Sequence, residues 1–310
     1  MGEQNTAQVA SRGNEKRPGE AAPADWKVDT VQVFTNPRAG GFAKRRIAAL
    51  RRCFTSSGVT LIETESGSSP LSVDERADHV CCAGGDGTLR HVVAAVCRSG
   101  RDVSLSVYPN GTVNLIAMES GYPRDPEAFV RRILDGGQRA RHYVGLVGDI
   151  PMASCASVGP DSYAVATVSS ALKRVIGRAA YLFAVSGFLL RWPRAKIMLF
   201  HAGGQTACEA VYVAKGRYFA GRWALTPEAS VFSPEFDVIA LRRASRTDVL
   251  RFARYMLTGR SIWGMPGADH FRCTELTIAS DDAAPVQADG DIVGHLPVHI
   301  SIRLAPFTFA

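Results

Sequence analysis

Residues His79-Val80-Cys81-Cys82-Ala83 run straight into Gly84-Gly85-Asp86-Gly87-Thr88, and this junction constrains the fold more than any other stretch. A short apolar run without alternation reads as a strand covered on both faces, the condition of a parallel sheet flanked by helices. Glycines at its end bring backbone N–H groups close to a ligand, and the next helix adds its positive N-terminus. The pattern recurs twice. Val31-Gln32-Val33-Phe34 is β-rich and breaks at Asn36-Pro37-Arg38-Ala39-Gly40-Gly41; Val103 to Tyr108 breaks at Pro109-Asn110-Gly111-Thr112. Val59 to Glu63 reads as a further strand. Between them, Ala43 to Phe54 carries Ile47, Leu50 and Phe54 at helical spacing, and Leu89 to Cys97 and Asp125 to Leu134 also read as helices. Strands alternating with helices make a parallel α/β sheet, whose ligands bind beyond the carboxyl ends of its strands.

After about residue 148 the texture changes. Ser162 to Val168, Ala195 to Phe200, Ala207 to Ala214, Phe236 to Arg242, Phe271 to Ala279 and Val298 to Leu304 read as strands. Helices are expected only over Ser170 to Leu190 and from Ser245, where Ser245-Arg246-Thr247-Asp248 resembles a capping box. Many strands and few helices predict an antiparallel sandwich or barrel. The expected organisation is a polar tail over 1–27, an α/β domain over 28–148 and a β domain over 149–310. The last strand either closes the second domain or returns to the first.

Seven scattered cysteines with no CxxC pair argue against a zinc site and for a reducing compartment. The longest apolar run, Ala179 to Leu190, is shorter than the ~20 residues a bilayer crossing needs. Residues 1–27 lack the apolar core of a signal peptide. A net charge of +7, with basic doublets at Arg45/Arg46, Arg51/Arg52, Arg131/Arg132 and Arg242/Arg243, favours anionic partners. No base-reading module accompanies it, so nucleic acid is not expected. The Gly84–Thr88 loop lacks the Gly-Lys-Ser/Thr of a Walker A motif and the spacing of a dinucleotide fingerprint. An acid inside a phosphate loop is costly unless it handles a proton or a metal, which singles out Asp86.

Taken in order, these segments resemble the diacylglycerol kinase catalytic-domain family, which includes bacterial lipid kinases and the sphingosine and ceramide kinases. Asn36-Pro37-Arg38-Ala39-Gly40 resembles the family's first loop, and Thr64 matches a nucleotide-contacting threonine. Gly84 to Thr88 is the signature GGDGT, and Pro109-Asn110-Gly111-Thr112-Val113-Asn114 is similar to the third loop. Tyr218 to Ala229 resembles a second-domain segment, and Asp289-Gly290-Asp291 followed by Leu296-Pro297 resembles the family's DGE ending.

The resemblance implies an α/β nucleotide-binding domain, a mainly antiparallel β-sandwich that takes a lipid, and an active site in the cleft between them. It implies transfer of the γ-phosphate of ATP, with Mg²⁺ on the nucleotide, to a primary hydroxyl of diacylglycerol, ceramide or a sphingoid base. Its nucleotide-binding candidates are Asn36, Pro37, Arg38, Gly40, Thr64, Gly84, Gly85, Asp86, Gly87, Thr88, Gly111, Thr112 and Asn114. Asp291 and Asp86 are the catalytic candidates, either one the proton acceptor. A cytoplasmic protein in peripheral contact with an anionic membrane follows, with monomer and homodimer both open.

The sequence also departs from the family. Arg90 and His91 replace Asn-Glu, Leu115 replaces an Asp, Gly145 stands where an acceptor-side Asp is usual, and Asp291 replaces a Glu. Ser233-Pro234-Glu235 replaces a metal-holding turn of bacterial relatives, so no resident metal is expected. These departures motivate a second reading, a nucleotide- or lipid-binding chain without phosphotransfer. A third, NAD kinase, shares GGDGT but carries a Leu-Gly-Phe segment that is missing here.

Overall fold

Capping and burial explain where the helices of the first half begin and end. A computed structural model of the chain describes residues 26–37, 43–66, 70–136, 139–167, 194–219, 221, 223–303 and 307–310. In chain order the first elements are β1 (Thr30–Thr35), α1 (Lys44–Ser56), β2 (Thr60–Glu65), β3 (His79–Gly84), α2 (Asp86–Ser99), β4 (Ser104–Pro109), α3 (Leu115–Glu119), α4 (Pro126–Asp135) and β5 (Ala140–His142). Both β3 and β4 are buried throughout. α2 starts three residues earlier than expected, because Asp86-Gly87-Thr88 already form its first turn behind an extended Gly85. It ends at Gly100, whose φ of 66° an L side chain rarely adopts. For α4, the Asp125 carboxylate accepts the Ala128 N–H at 2.8 Å and Pro126 supplies the first turn.

The second half comprises β6 (Gly145–Val147), β7 (Ile150–Met152), β8 (Cys155–Val158), α5 (Pro160–Thr167), β9 (Ile197–His201), β10 (Gly204–Cys208), β11 (Ala210–Ala214), β12 (Tyr218–Phe219), β13 (Trp223–Ala224) and β14 (Phe236–Leu241). It continues with α6 (Arg246–Leu257), a short 3₁₀ turn, β15 (Ala268–Cys273), β16 (Glu275–Ala279), β17 (Pro285–Ala288), β18 (Asp291–His295), β19 (Val298–Ile302) and β20 (Phe307–Phe309).

Three sheets result, with a separate β12-β13 ribbon. The first has the order β2-β1-β3-β4-β20-β5; β2, β1, β3 and β4 run parallel, and β20 joins β4, also in parallel. The chain's last strand therefore lies in the sheet that its first strand began. The other two, β10-β9-β16-β19-β6-β7 and β15-β14-β11-β8-β17-β18, are antiparallel and pack face to face. Met152, Val211, Val213, Phe236, Leu276, Ile278 and Ile300 fill the space between them.

Three sequence expectations change. Ser162 to Thr167 is the body of helix α5 rather than a strand. Pro160 opens the helix after Gly159 at φ 151°, and the Ser162 hydroxyl accepts the Gly159 N–H at 3.1 Å. Ala207 to Ala214 is two strands in different sheets, broken at Glu209, whose carboxylate takes the Arg194 guanidinium and the Ala244 N–H. Phe271 to Ala279 likewise divides at Thr274, so that β15 and β16 turn the corner between the two sandwich sheets. The helix at Ser245 is observed; the helix expected over 170–190 lies outside the described residues.

Candidate active site

Parallel register brings the glycine loops side by side. Thr35 pairs with Ala83 and Gly84 with Pro109, so β1, β3 and β4 all end at one level. The second and third loops then touch through their backbones. A Cβ on Gly111 would stand 2.4 Å from Gly85 Cα and 2.7 Å from Gly85 N, which leaves room only for glycine. A Cβ on Gly84 would likewise stand 2.8 Å from Thr88 Cβ. Asn114, in the left-handed region at φ 60°, closes the third loop: its Oδ1 accepts the Gly111 N–H at 2.8 Å and its Nδ2 donates to Gly111 O at 2.9 Å. The first loop is tied in by Asn36 Nδ2, which donates to Thr88 Oγ1 at 3.4 Å. Arg46 of α1 adds a bond to Pro109 O at 2.6 Å and covers the Tyr108 ring.

Asp86 is spent on this scaffold. Its Oδ2 accepts the Leu115 N–H at 3.0 Å and its Oδ1 the Ile116 N–H at 3.1 Å, so it caps α3 from the first turn of α2. Desolvation raises its pKa, with those N–H bonds opposing the rise. Leu115, where the family resemblance expects an Asp, contributes a backbone donor to this cap.

Asp291 is the other catalytic candidate, and it arrives from the sandwich. A Cβ on Gly87 would lie 3.8 Å from Asp291 Oδ2, which puts the carboxylate over the first turn of α2. Arg90, one turn further along α2, donates from Nη2 to Asp291 Oδ2 at 3.0 Å. The arginine side chain is only 10% exposed, the aspartate 47%, so the acid faces the cleft while its partner is held below.

The turn that carries Asp291 is anchored at three levels. Asp289 and Gly290 have φ of 49° and 88°, the two positive values of a tight hairpin turn between β17 and β18. Asp289 Oδ2 accepts the Ala153 N–H at 2.7 Å; its Oδ1 accepts those of Ser154 and Cys155 at 2.8 and 3.1 Å. Burial nevertheless pushes its pKa up to about 6. The Gly290 N–H donates to Gln287 Oε1 at 2.7 Å, and Gln287 Nε2 donates to Ser157 Oγ at 2.8 Å. The Ser157 hydroxyl in turn donates to Asp161 of α5. Gln287, Ser157 and Asp161 escaped the sequence reading, because Gln287 and Ser157 are 130 positions apart and no local motif marks them.

The remaining candidates divide. Thr112 is exposed and lines a cavity of about 490 Å³ with Pro109, Val113 and Asn114 on one side and Gly221 and Trp223 of the ribbon on the other. Thr64 stands two strands away from the central loop, where its Oγ1 accepts from Gln32 Nε2 at 2.9 Å. Pro37 is an exposed turn residue, and Arg38 and Gly40 lie outside the described residues. At Gly145 a Cβ would meet Met152 Cε at 2.5 Å and the Phe236 ring at 2.9 Å, so the space an aspartate would need is already filled.

Comparison with known proteins bears on the family and the fold. The family model for the diacylglycerol kinase catalytic domain matches residues 30–145, and that for the YegS C-terminal NAD kinase beta sandwich-like domain matches residues 154–308. A probable lipid kinase YegS-like of Pseudomonas putida is 33% identical over 167 residues, 53% of this chain and 55% of that protein. The match thus spans about half the length of that relative. A diacylglycerol kinase of Bacillus subtilis is 24% identical over 277 residues, 86% of this chain and 91% of its own. Among solved structures, a putative diacylglycerol kinase from Bacillus anthracis has the same fold, with a TM-score of 0.76 at 17% identity over 92% of this chain and 96% of that one.

Proposed function

This chain belongs to the diacylglycerol kinase catalytic-domain family, and from that premise we propose that it transfers the γ-phosphate of ATP to a hydroxyl of a membrane lipid. The observation that carries the reading is the meeting of two halves of a site. Glycine loops from the parallel sheet pack backbone against backbone at Gly85 and Gly111, and Asp291 from the sandwich hangs over the same helix N-terminus. Backbone N–H groups of the 84–88 and 109–114 loops and the N-terminus of α2 fit a triphosphate. Mg²⁺ bound with the nucleotide would neutralise charge on its phosphates.

In this reading the two carboxylates have separate tasks. Asp86 keeps the second and third loops locked together. Asp291 accepts the proton of the attacking hydroxyl, and Arg90 holds its carboxylate in one orientation. An aspartate is one methylene shorter than the glutamate usual in the family; the arginine from α2 fixes the shorter side chain near Gly87.

Diacylglycerol is the first candidate acceptor, from the relatives' names; ceramide and sphingoid bases follow because the acceptor-side aspartate is replaced by Gly145. The test is transfer of label from γ-labelled Mg-ATP to diacylglycerol, monoacylglycerol, ceramide, sphingosine and NAD, offered separately. Label in one of the lipids is expected. ATP binding without label in any lipid, or label in NAD alone, would overturn the reading.

A further inference from the structure

Helix α6 buries one side and leaves an unusual one outside. Phe252 faces the core at 2% exposure, with Val249, Tyr255 and Met256 packed beside it. At 100° per residue the opposite side carries Leu250 and Leu257, one above the other, flanked by Arg246 and Arg254. Leu250 is 69% exposed and Leu257 59% exposed, the two largest exposures among the described large apolar side chains. A single exposed leucine needs no explanation. Two in line on one helix, set among arginines, form a surface that is apolar and cationic at once.

A second feature adjoins it. Arg251, Arg254 and Arg260 surround a cup of about 370 Å³ closed by Tyr255 and Pro266, and no carboxylate is among the described residues that line it. Arg251 is steadied by Pro266 O at 3.4 Å and by Asp248 at 3.6 Å on the core side. Arg254 and Arg260 form no ion pair among the described residues. Three arginines lining one open space, two of them without an ion pair among the described residues, match a phosphate oxygen set, since arginine presents planar, fixed donors. α6 also packs against β13, whose Trp223 is 44% exposed and borders the cavity that leads to Thr112.

We propose that α6 is the surface by which this chain docks on an anionic lipid bilayer: Leu250 and Leu257 enter the acyl boundary, and the Arg251–Arg254–Arg260 cup takes a lipid phosphate. The charge of the cup selects an anionic partner, and the leucines select a bilayer over a soluble polyanion. Docked this way, the Trp223 side of the cavity lies next to the membrane, which brings a lipid hydroxyl toward the third loop. That last consequence rests on the lipid-kinase reading; the docking itself does not.

The experiment measures sedimentation of the full chain with phosphatidylcholine vesicles and with vesicles that also contain phosphatidylglycerol, without nucleotide. Wild type is expected to favour the anionic vesicles. Arg254→Glu/Arg260→Glu should lower that binding at low salt by about fivefold or more per arginine. Leu250→Ser/Leu257→Ser should lower it by about tenfold or more at low and high salt alike. Circular dichroism should show both variants folded, since the altered side chains are exposed. Leucine variants that bind as wild type does would overturn the proposal. So would displacement by soluble glycerophosphoglycerol or by duplex DNA as effective as that by vesicles, which would mark a plain phosphate or polyanion surface. Assay of a monomeric short-chain diacylglycerol separates the two claims. Both variants should keep wild-type turnover there, whereas inactivity of every protein, wild type included, would count against the kinase reading alone.

Discussion

Asp86 and Asp291 border the same cleft, but their oxygens are engaged differently. Asp86 accepts two backbone N–H bonds and Asp291 a guanidinium, and only the latter is turned to the opening. Replacing Asp291 by Asn should cut kcat by ~10²–10⁴-fold, the usual cost of losing a general base, with the KM for ATP little changed. Asp86→Asn turns an amide NH₂ toward one of two N–H donors, so it should raise the KM for ATP and lower the melting temperature. Equal kinetic signatures in the two variants would return the proton to Asp86. Arg90→Ala should lower kcat in the Asp291 background and add almost nothing to Asp291→Asn, because residues acting as one unit are not additive.

Two elements allow sharper tests of packing. Gly111→Ala would force its Cβ onto Gly85 Cα, so the third loop must move. Overpacking of this kind costs ~1–3 kcal/mol, and ATP binding should weaken with it. Gly264→Ala, with nothing within 4 Å of the added Cβ, is the matched control and should change neither. In β3, the His79 ring lies between Ser104 Oγ and Ser106 Oγ, both at 2.7 Å, and burial lowers its pKa to about 3. The unfolded chain binds that proton near pH 6.5 and the native chain does not, so the unfolded state holds more protons between those values. Stability should therefore fall as pH drops below 6.5, by up to about 1.4 kcal/mol per unit. Denaturant titrations at pH 7, 6 and 5 should show this slope, and His79→Asn should flatten it by one proton's worth.

At the scale of the molecule, one carboxylate ties the two domains together. Glu119 at the end of α3 accepts the Arg217 N–H at 2.8 Å and the Val231 N–H at 3.1 Å, both from the sandwich side. Lys215, fully buried, donates to Ser230 O at 2.8 Å and Ser233 O at 2.6 Å, and burial lowers its pKa to about 7 against the pull of Glu119 and Asp237. The unfolded chain keeps this proton up to about pH 10.5, so it binds more protons than the native chain above pH 7. Stability should rise with pH from 7 toward 9, and Lys215→Met should remove that rise. A variant that retains the full slope would show that another group titrates. Ser233 opens the Ser233-Pro234-Glu235 turn that departs from the bacterial relatives, and the Lys215 amine holds its carbonyl.

Local chemistry was enough to read the strand ends, the glycine loops and the Ser245 cap, since each depends on residues within a few positions. The unbroken apolar run His79–Ala83 and the alternation of strands with helices marked a parallel sheet, and the order of motifs identified the family. Ser162 to Thr167 was misread because the β-favouring Tyr163, Val165 and Thr167 fall on alternate positions, while Pro160 and the Ser162 hydroxyl settle the helix. Long β runs hid their breaks at Glu209 and Thr274, because side-chain pattern does not tell which sheet a residue joins. Arg90 stood out only as a departure from the family, with no hint that its partner lay 201 positions away. The pairing of Arg90 with Asp291, the spending of Asp86 on α3 and the Gln287–Ser157–Asp161 chain were decided by tertiary structure. A side chain's partner is fixed by what the fold brings within about 3 Å of it, and hydrogen bonding at that range carries no trace in neighbouring residues.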